Sequence, residues 1–312
     1  MTNIPLLSVC IITYNHKNYI RQAIEGALMQ ETKFSYEIII ADDCSTDGTR
    51  EILLEYKEKY PDLITLILQE KNVGAAKNYI DLLNAPASKY IAYVEGDDCW
   101  TDPDKLQIQV DFLENHAEFV GTFHDHSIIG DGTVTNLKLH EKGGYWTHTK
   151  DVFTIDDIIQ YNPTQSISLV YRNVYKHNYP ECTMSCPLQD WAMVLFLSQN
   201  GHFKYIDRIM ARYTIHVHGS YHDKSVLDWY KKVTIPTLKV LEENVTSPVL
   251  AKKMYARRLQ ETLALNRTEN NRWAYSRNLV LLMWNVRYSA FSLRDLLYLF
   301  RNFESYIEYV RK

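Results

Sequence analysis

Four residues, Glu95-Gly96-Asp97-Asp98, follow directly on an apolar run, Tyr90-Ile91-Ala92-Tyr93-Val94. Acidic groups packed at the end of a buried strand repel one another. A fold accommodates them most readily when a cation or ligand hydroxyls answer the charge. Carboxylate oxygens are hard ligands suited to Mg²⁺ or Mn²⁺, and Mg²⁺ is commonly shared between one or two carboxylates and a substrate phosphate. The competing reading is a solvated cluster that caps a helix opening near Pro103. Two more polar groups end apolar runs: Ser8 to Asn15 (SVCIITYN) and Asp42 to Thr49 (DDCSTDGT). An Asp in such a place can accept hydrogen bonds from a nucleobase imide or from ribose hydroxyls. Asn72 to Asn78 (NVGAAKN) sets a glycine ahead of a helix, with Lys77 on its first turn. That arrangement offers backbone N–H groups and a cation to a diphosphate, although a glycine-containing loop before a helix is usually only a loop.

The elements that must hold these groups follow from hydrophobic periodicity. Apolar runs predict strands over 6–14, 36–41, 63–68 and 89–94, and helical spacing predicts helices over 18–30, 46–60, 75–84 and 103–115. Near-continuous apolar strands alternating with helices predict a parallel sheet covered on both faces. Ligands of such sheets bind beyond the carboxyl ends of the strands. Asn15, Asp42-Asp43 and Glu95 to Asp98 all fall at predicted carboxyl ends, which makes one crevice of separate polar spots. After residue 118 the pattern shifts. Strands are expected over 119–129, 167–171 and 203–217, short extended pieces over 133–148, helices over 155–161 and 188–200, and mostly helix from 225 onward.

The chain has 312 residues, room for one large domain or a domain with an appendage, and its 46% apolar content is ample for a core. No 18-residue apolar run is present, so no transmembrane helix is expected, and the run Leu279 to Trp284 (LVLLMW) is too short to span. The first residues lack the pattern of a signal peptide. Five scattered cysteines predict reduced thiols and a cytoplasmic setting. Charge is uneven. Residues 251–312 carry 12 Lys and Arg against 5 Asp and Glu, so with a chain total of −4 the balance over 1–250 is −11. An acidic body argues against a nucleic-acid partner, and a basic tail could meet anionic lipid. Neither GxxxxGK[ST] nor GxGxxG occurs, which disfavours P-loop and dinucleotide sites.

The ordered set SVCIITYN, DDCSTDGT, NVGAAKN, EGDDCWTDPDKL and LQDW resembles family 2 glycosyltransferases of the GT-A fold, especially bacterial members that build capsule or O-antigen polysaccharide. The likeness runs over roughly residues 5 to 222. It implies an α/β, Rossmann-like, mostly parallel sheet flanked by helices over 1–222, with a C-terminal helical appendage over 223–312. It also implies a nucleotide-sugar donor, a UDP-sugar by preference. Thr13, Tyr14 and Asn15 would line the base pocket, Asp43 would contact the base, and Lys77 would lie near the diphosphate. Glu95, Asp97 and Asp98 match the region that holds the ribose and a Mn²⁺ or Mg²⁺ ion. Glu95 stands where the family has Asp, and the loop to Pro103 is one residue longer than the family pattern, which leaves Asp97 and Asp98 both open as direct ligands, with Asp98 preferred. Tyr213-Thr214-Ile215-His216 resembles a YRxH segment with Thr in place of Arg, making His216 a further ligand for the metal or diphosphate. Asp190 in LQDW would be the general base that takes the acceptor's proton, with inversion in a single displacement. Without the resemblance, Asp190 reads as an N-cap with Trp191 packed inward.

For the acceptor, a saccharide or lipid-linked glycan, Trp100 and Trp191 could stack on sugar rings. His124, which alternates with His126 on a predicted strand, could hold hydroxyls. Arg294, Arg301 and Arg311 with Leu297, Tyr298, Phe300 and Phe303 predict amphipathic helices. These would pack on the catalytic domain or on a second copy of the chain, or rest on the inner face of a membrane. Two rivals remain: a non-catalytic nucleotide-sugar or glycan-binding module, and a sugar nucleotidyltransferase. The second is disfavoured because residues 13–22 (TYNHKNYIRQ) lack the glycines of a triphosphate loop.

Overall fold

Strand β1 (Leu7–Thr13) is apolar and buried almost throughout, as a strand with neighbours on both edges must be. It lies parallel to β2 (Tyr36–Asp42) on one side and β4 (Tyr90–Glu95) on the other, and β3 (Ile64–Leu68) extends the sheet beyond β2. Helices α1 (Ile20–Leu28), α2 (Thr49–Lys59) and α3 (Ala75–Asn84) make the crossovers. Leu7, Val9, Ile11, Ile38, Ile40, Ala92 and Val94 form one core with Ile20, Ile24, Leu53 and Leu106. The register puts Ile12 opposite Glu95 and Thr13 opposite Asp42. The polar residues that end three strands therefore emerge side by side.

The structure, a computed structural model, describes residues 4–130, 133–137, 150–215, 230–269 and 271–285. Beyond β4 come β5 (Cys99–Trp100), α4 (Lys105–Asn115), β6 (Phe119–Gly130), β7 (Thr133–Leu137), β8 (Val152–Phe153), α5 (Ile155–Gln160), β9 (Val170–Arg172), α6 (Gln189–Leu197) and β10 (His202–Thr214). The sheet runs β3-β2-β1-β4-β9-β6-β10-β5, with β7 added to β6 and β8 to β10. β9 enters antiparallel between β4 and β6. β10 runs parallel to β6 with irregular register between Ile206 and Ala211, and antiparallel to β5.

α1 crosses β5 with no room between them. A Cβ on Gly26 would lie 2.9 Å from the backbone nitrogen of Trp100, and a backbone neighbour cannot swing aside. Gly26→Ala is expected to cost about 1–3 kcal/mol through overpacking, read as a lower Tm with the far-UV spectrum unchanged.

The chain forms two compact units: residues 1–184 with 193–222, and residues 185–192 with 223–312. Segment 185–192, which the sequence pattern grouped with the sheet, goes with the second unit, where the Leu188 amide donates to Thr237 Oγ1 at 3.2 Å. That unit holds α7 (Ile235–Asn244), α8 (Pro248–Thr268) and α9 (Arg272–Trp284). Ala256, Leu259 and Leu263 of α8 pack with Leu279 and Leu282 of α9. No described helix is long and apolar enough to cross a membrane. The basic and aromatic positions singled out between 294 and 311 lie outside the described residues.

Candidate active site

β4 ends at Glu95, and the chain turns through Gly96, whose amide donates to Ile12 O at 2.8 Å. The turn then feeds β5, where Cys99 pairs with Arg212 and Trp100 with Ala211 of β10. This pairing brings Asp98 against the end of β10, and the Thr214 amide donates to Asp98 Oδ1 at 2.8 Å. Asp98 is only 2% exposed. Its Oδ2 is buried with no hydrogen-bond partner among the described residues. Burial, and then the charges of Glu95 and Asp97, push its pKa well above the usual carboxylate range. A buried carboxylate oxygen left unanswered is costly and calls for an explanation such as an ion.

The neighbours of Asp98 are fixed in turn. Glu95 Oε2 accepts from Ser166 Oγ at 2.7 Å. His16 Nε2 lies 3.8 Å from Asp97 Oδ2. Gly96 is required by close approach, since a Cβ there would lie 2.8 Å from Thr13 Oγ1 and 2.9 Å from His16 Nδ1. Thr13 Oγ1 is itself buried with no hydrogen-bond partner among the described residues. Within those residues no group of three His, Cys, Asp or Glu side chains is set to hold an ion by itself. A hard divalent ion completed by phosphate oxygens and water needs only one or two carboxylates. Asp98 and Asp97 fit that requirement.

The loops on the other side of β1 are tied to one another. Asn15 adopts φ of +56°, a left-handed conformation that Asn tolerates better than most residues. This lets its amide donate to Ser45 Oγ at 2.8 Å while its Oδ1 accepts from the Thr46 amide at 2.9 Å. The Lys17 amide donates to Asp47 Oδ2 at 3.0 Å. Asp42 is buried and receives Arg50 Nε at 2.7 Å. Asp43 is buried as well. Its two oxygens accept the amides of Val73 at 2.7 Å and Gly74 at 3.0 Å, so it fastens the loop that opens α3. Lys77, on the first turn of α3, is exposed and pairs with Asp81 one turn on. Tyr14 is exposed beside Asn15.

Three acceptor expectations give way to packing. Trp100 is 3% exposed, its indole N–H donates to Ile167 O at 2.9 Å, and the Lys105 ammonium sits 4.1 Å from its ring centroid. No face is left for a sugar. Trp100→Phe is therefore expected to lower stability by about 1–3 kcal/mol through the orphaned Ile167 carbonyl, with the donor KM unchanged in steady-state assays. His124 is buried, with Nδ1 2.7 Å from Asp125 O, and burial followed by the Lys105 charge holds its pKa well below the usual imidazole range. Trp191 is buried too. Asp190 is the second residue of α6 and half-buried, within the segment that belongs to the second unit. His216 lies outside the described residues. The sequence reading placed the stretch Asn162 to Arg172, which holds Ser166, near the acceptor rather than beside Glu95, and it missed His16 and the Thr214 amide. The one available signal was Gly96 set between acids, a mark of close backbone approach.

The family model described as Glycosyl transferase family 2 matches residues 8–176. The chain belongs to that family, and its α/β fold is the GT-A fold expected from the motifs. The uncharacterized protein Rv1520 of Mycobacterium tuberculosis is 35% identical over 216 residues, 69% of this chain and 60% of that relative. The putative teichuronic acid biosynthesis glycosyltransferase TuaG of Bacillus subtilis is 38% identical over 138 residues, 44% of this chain and 53% of TuaG. The chain thus spans 53–60% of the length of these relatives. Among solved structures, the mannosyltransferase PcManGT of Pyrobaculum calidifontis, determined with GDP-Man and Mn²⁺, shares the fold. Its TM-score is 0.60 at 13% identity, over 98% of this chain and 81% of that one.

Proposed function

We propose that this chain transfers a glycosyl group from a nucleotide-sugar, preferably a UDP-sugar, to a hydroxyl of a saccharide or lipid-linked glycan. Transfer inverts the anomeric carbon and uses Mn²⁺ or Mg²⁺ held by Asp98 and Asp97. The observation that carries the reading is the buried Oδ2 of Asp98, which has no hydrogen-bond partner among the described residues at the carboxyl end of the sheet. When bound, the ion supplies Lewis-acid stabilisation of charge on the departing diphosphate. Glu95, steadied by Ser166, faces the ribose hydroxyls. Thr13, Tyr14, Asn15 and Asp43 enclose the base, Asp43 also through the loop it fastens. Lys77 adds positive charge at the diphosphate. Asp190 removes the acceptor proton as the hydroxyl attacks, and the diphosphate leaves without a protonating acid, unlike the leaving group of a glycosidase. Membership of the family and the nucleotide-sugar bound by PcManGT support this reading. The name of TuaG supports polysaccharide synthesis as its setting.

A panel of nucleotide-sugars assayed for nucleoside diphosphate release, with Mn²⁺, Mg²⁺ or EDTA, tests it. Release from one donor, lost in EDTA and restored by Mn²⁺, is the expected pattern. Release indifferent to chelation removes the metal. A donor that binds but is never turned over would make the chain a binding module.

A further inference from the structure

Helix α9 is apolar on two faces, and among the described residues only one is covered. Leu279 and Leu282 pack with α8. On the other side Trp273, Arg277, Val280, Leu281 and Trp284 recur at intervals of three or four, which aligns them along one stripe. Trp273 is 73% exposed, Val280 54% and Trp284 85%. The Arg277 guanidinium lies 5.3 Å from the Trp273 ring centroid. The 13-residue helix is about 20 Å long, with an indole near each end. Apolar side chains in such a continuous exposed row mark an interaction surface.

Charge indicates what covers it. Residues 230–285 carry ten Lys and Arg against four Asp and Glu, an excess of six. A second copy docked through the same stripe would bring two such positive regions together, because a two-fold contact repeats the same patch on both sides. An anionic surface meets the excess with attraction. Indoles settle at the headgroup level of a bilayer, and an arginine beside them keeps its guanidinium among the phosphates. The helix is too short to span and suited to lie flat.

We propose that the Trp273–Arg277–Val280–Leu281–Trp284 face of α9 seats the protein on an anionic lipid bilayer. This does not rest on the transferase reading. The test is flotation of the full chain with phosphatidylcholine vesicles, with and without phosphatidylglycerol, alongside the double variant Trp273→Ser/Trp284→Ser. Both indoles are exposed, so the variant should fold, which its thermal melt verifies. The expected result is binding that requires phosphatidylglycerol, weakens with salt, and falls about tenfold or more in the variant. Arg277→Glu should weaken it as well. No flotation with anionic vesicles overturns the proposal, and so does equal binding by the double variant. A concentration-dependent dimer that the double variant abolishes, without lipid binding, assigns the face to a second copy and overturns it too.

Discussion

Replacing Asp98 by Asn is expected to abolish sugar transfer while making the metal-free protein harder to unfold. The two effects have one origin. Asp98 is held out of water beside Glu95 and Asp97, with one oxygen spent on the Thr214 amide and the other without a hydrogen-bond partner among the described residues. An amide of the same shape keeps the Thr214 bond and takes away a carboxyl group whose charged form is disfavoured by burial and by Glu95 and Asp97. Its loss takes away an ion ligand worth about a thousandfold or more in rate. Thermal melts read the other half. Without metal the variant should melt a few degrees higher, since each kcal/mol is worth about 2–4 °C in a protein of this size. Adding Mn²⁺ should raise the Tm of the wild type, by the equivalent of about 2.7 kcal/mol at a hundred times its Kd, and leave the variant unmoved. A variant that melts lower and still transfers sugar would end the metal reading.

Asp190→Asn is expected to reduce kcat by about 10²–10⁴-fold with the donor KM unchanged. Asn keeps the shape of Asp and its hydrogen-bond-accepting oxygen but cannot take up a proton as a carboxylate does, so the exchange separates chemistry from folding. A purely structural Asp190, at the start of α6, would leave kcat intact. Donor binding measured by calorimetry completes the test, because an inactive variant that still binds donor has lost the proton acceptor alone.

The central α/β half was legible because its strands are unbroken apolar runs and its helices have clear spacing. The predicted run 6–14 became Leu7–Thr13 and 89–94 became Tyr90–Glu95. What stayed hidden depended on partners distant in sequence. β5 is two residues long and exists only because β10 pairs with it. Trp100 reads as a surface platform until Ile167 O and Lys105 are seen to occupy it. Asp43 was legible as a strand-end acid, but its hold on Val73 and Gly74 was not, since no local pattern encodes a bond across 30 residues.

The reliance of Asp98 on Thr214 also bears on biogenesis. The two are 116 positions apart. At roughly 5–20 residues per second, a ribosome needs about 6–23 seconds to make the intervening polypeptide. Throughout that interval the growing chain carries its acidic turn without the strand that fixes it. A fragment ending at residue 176, where the family match stops, would never acquire that strand. Such a fragment would expose an open sheet border to neighbouring chains, and aggregation rather than partial activity is its expected fate.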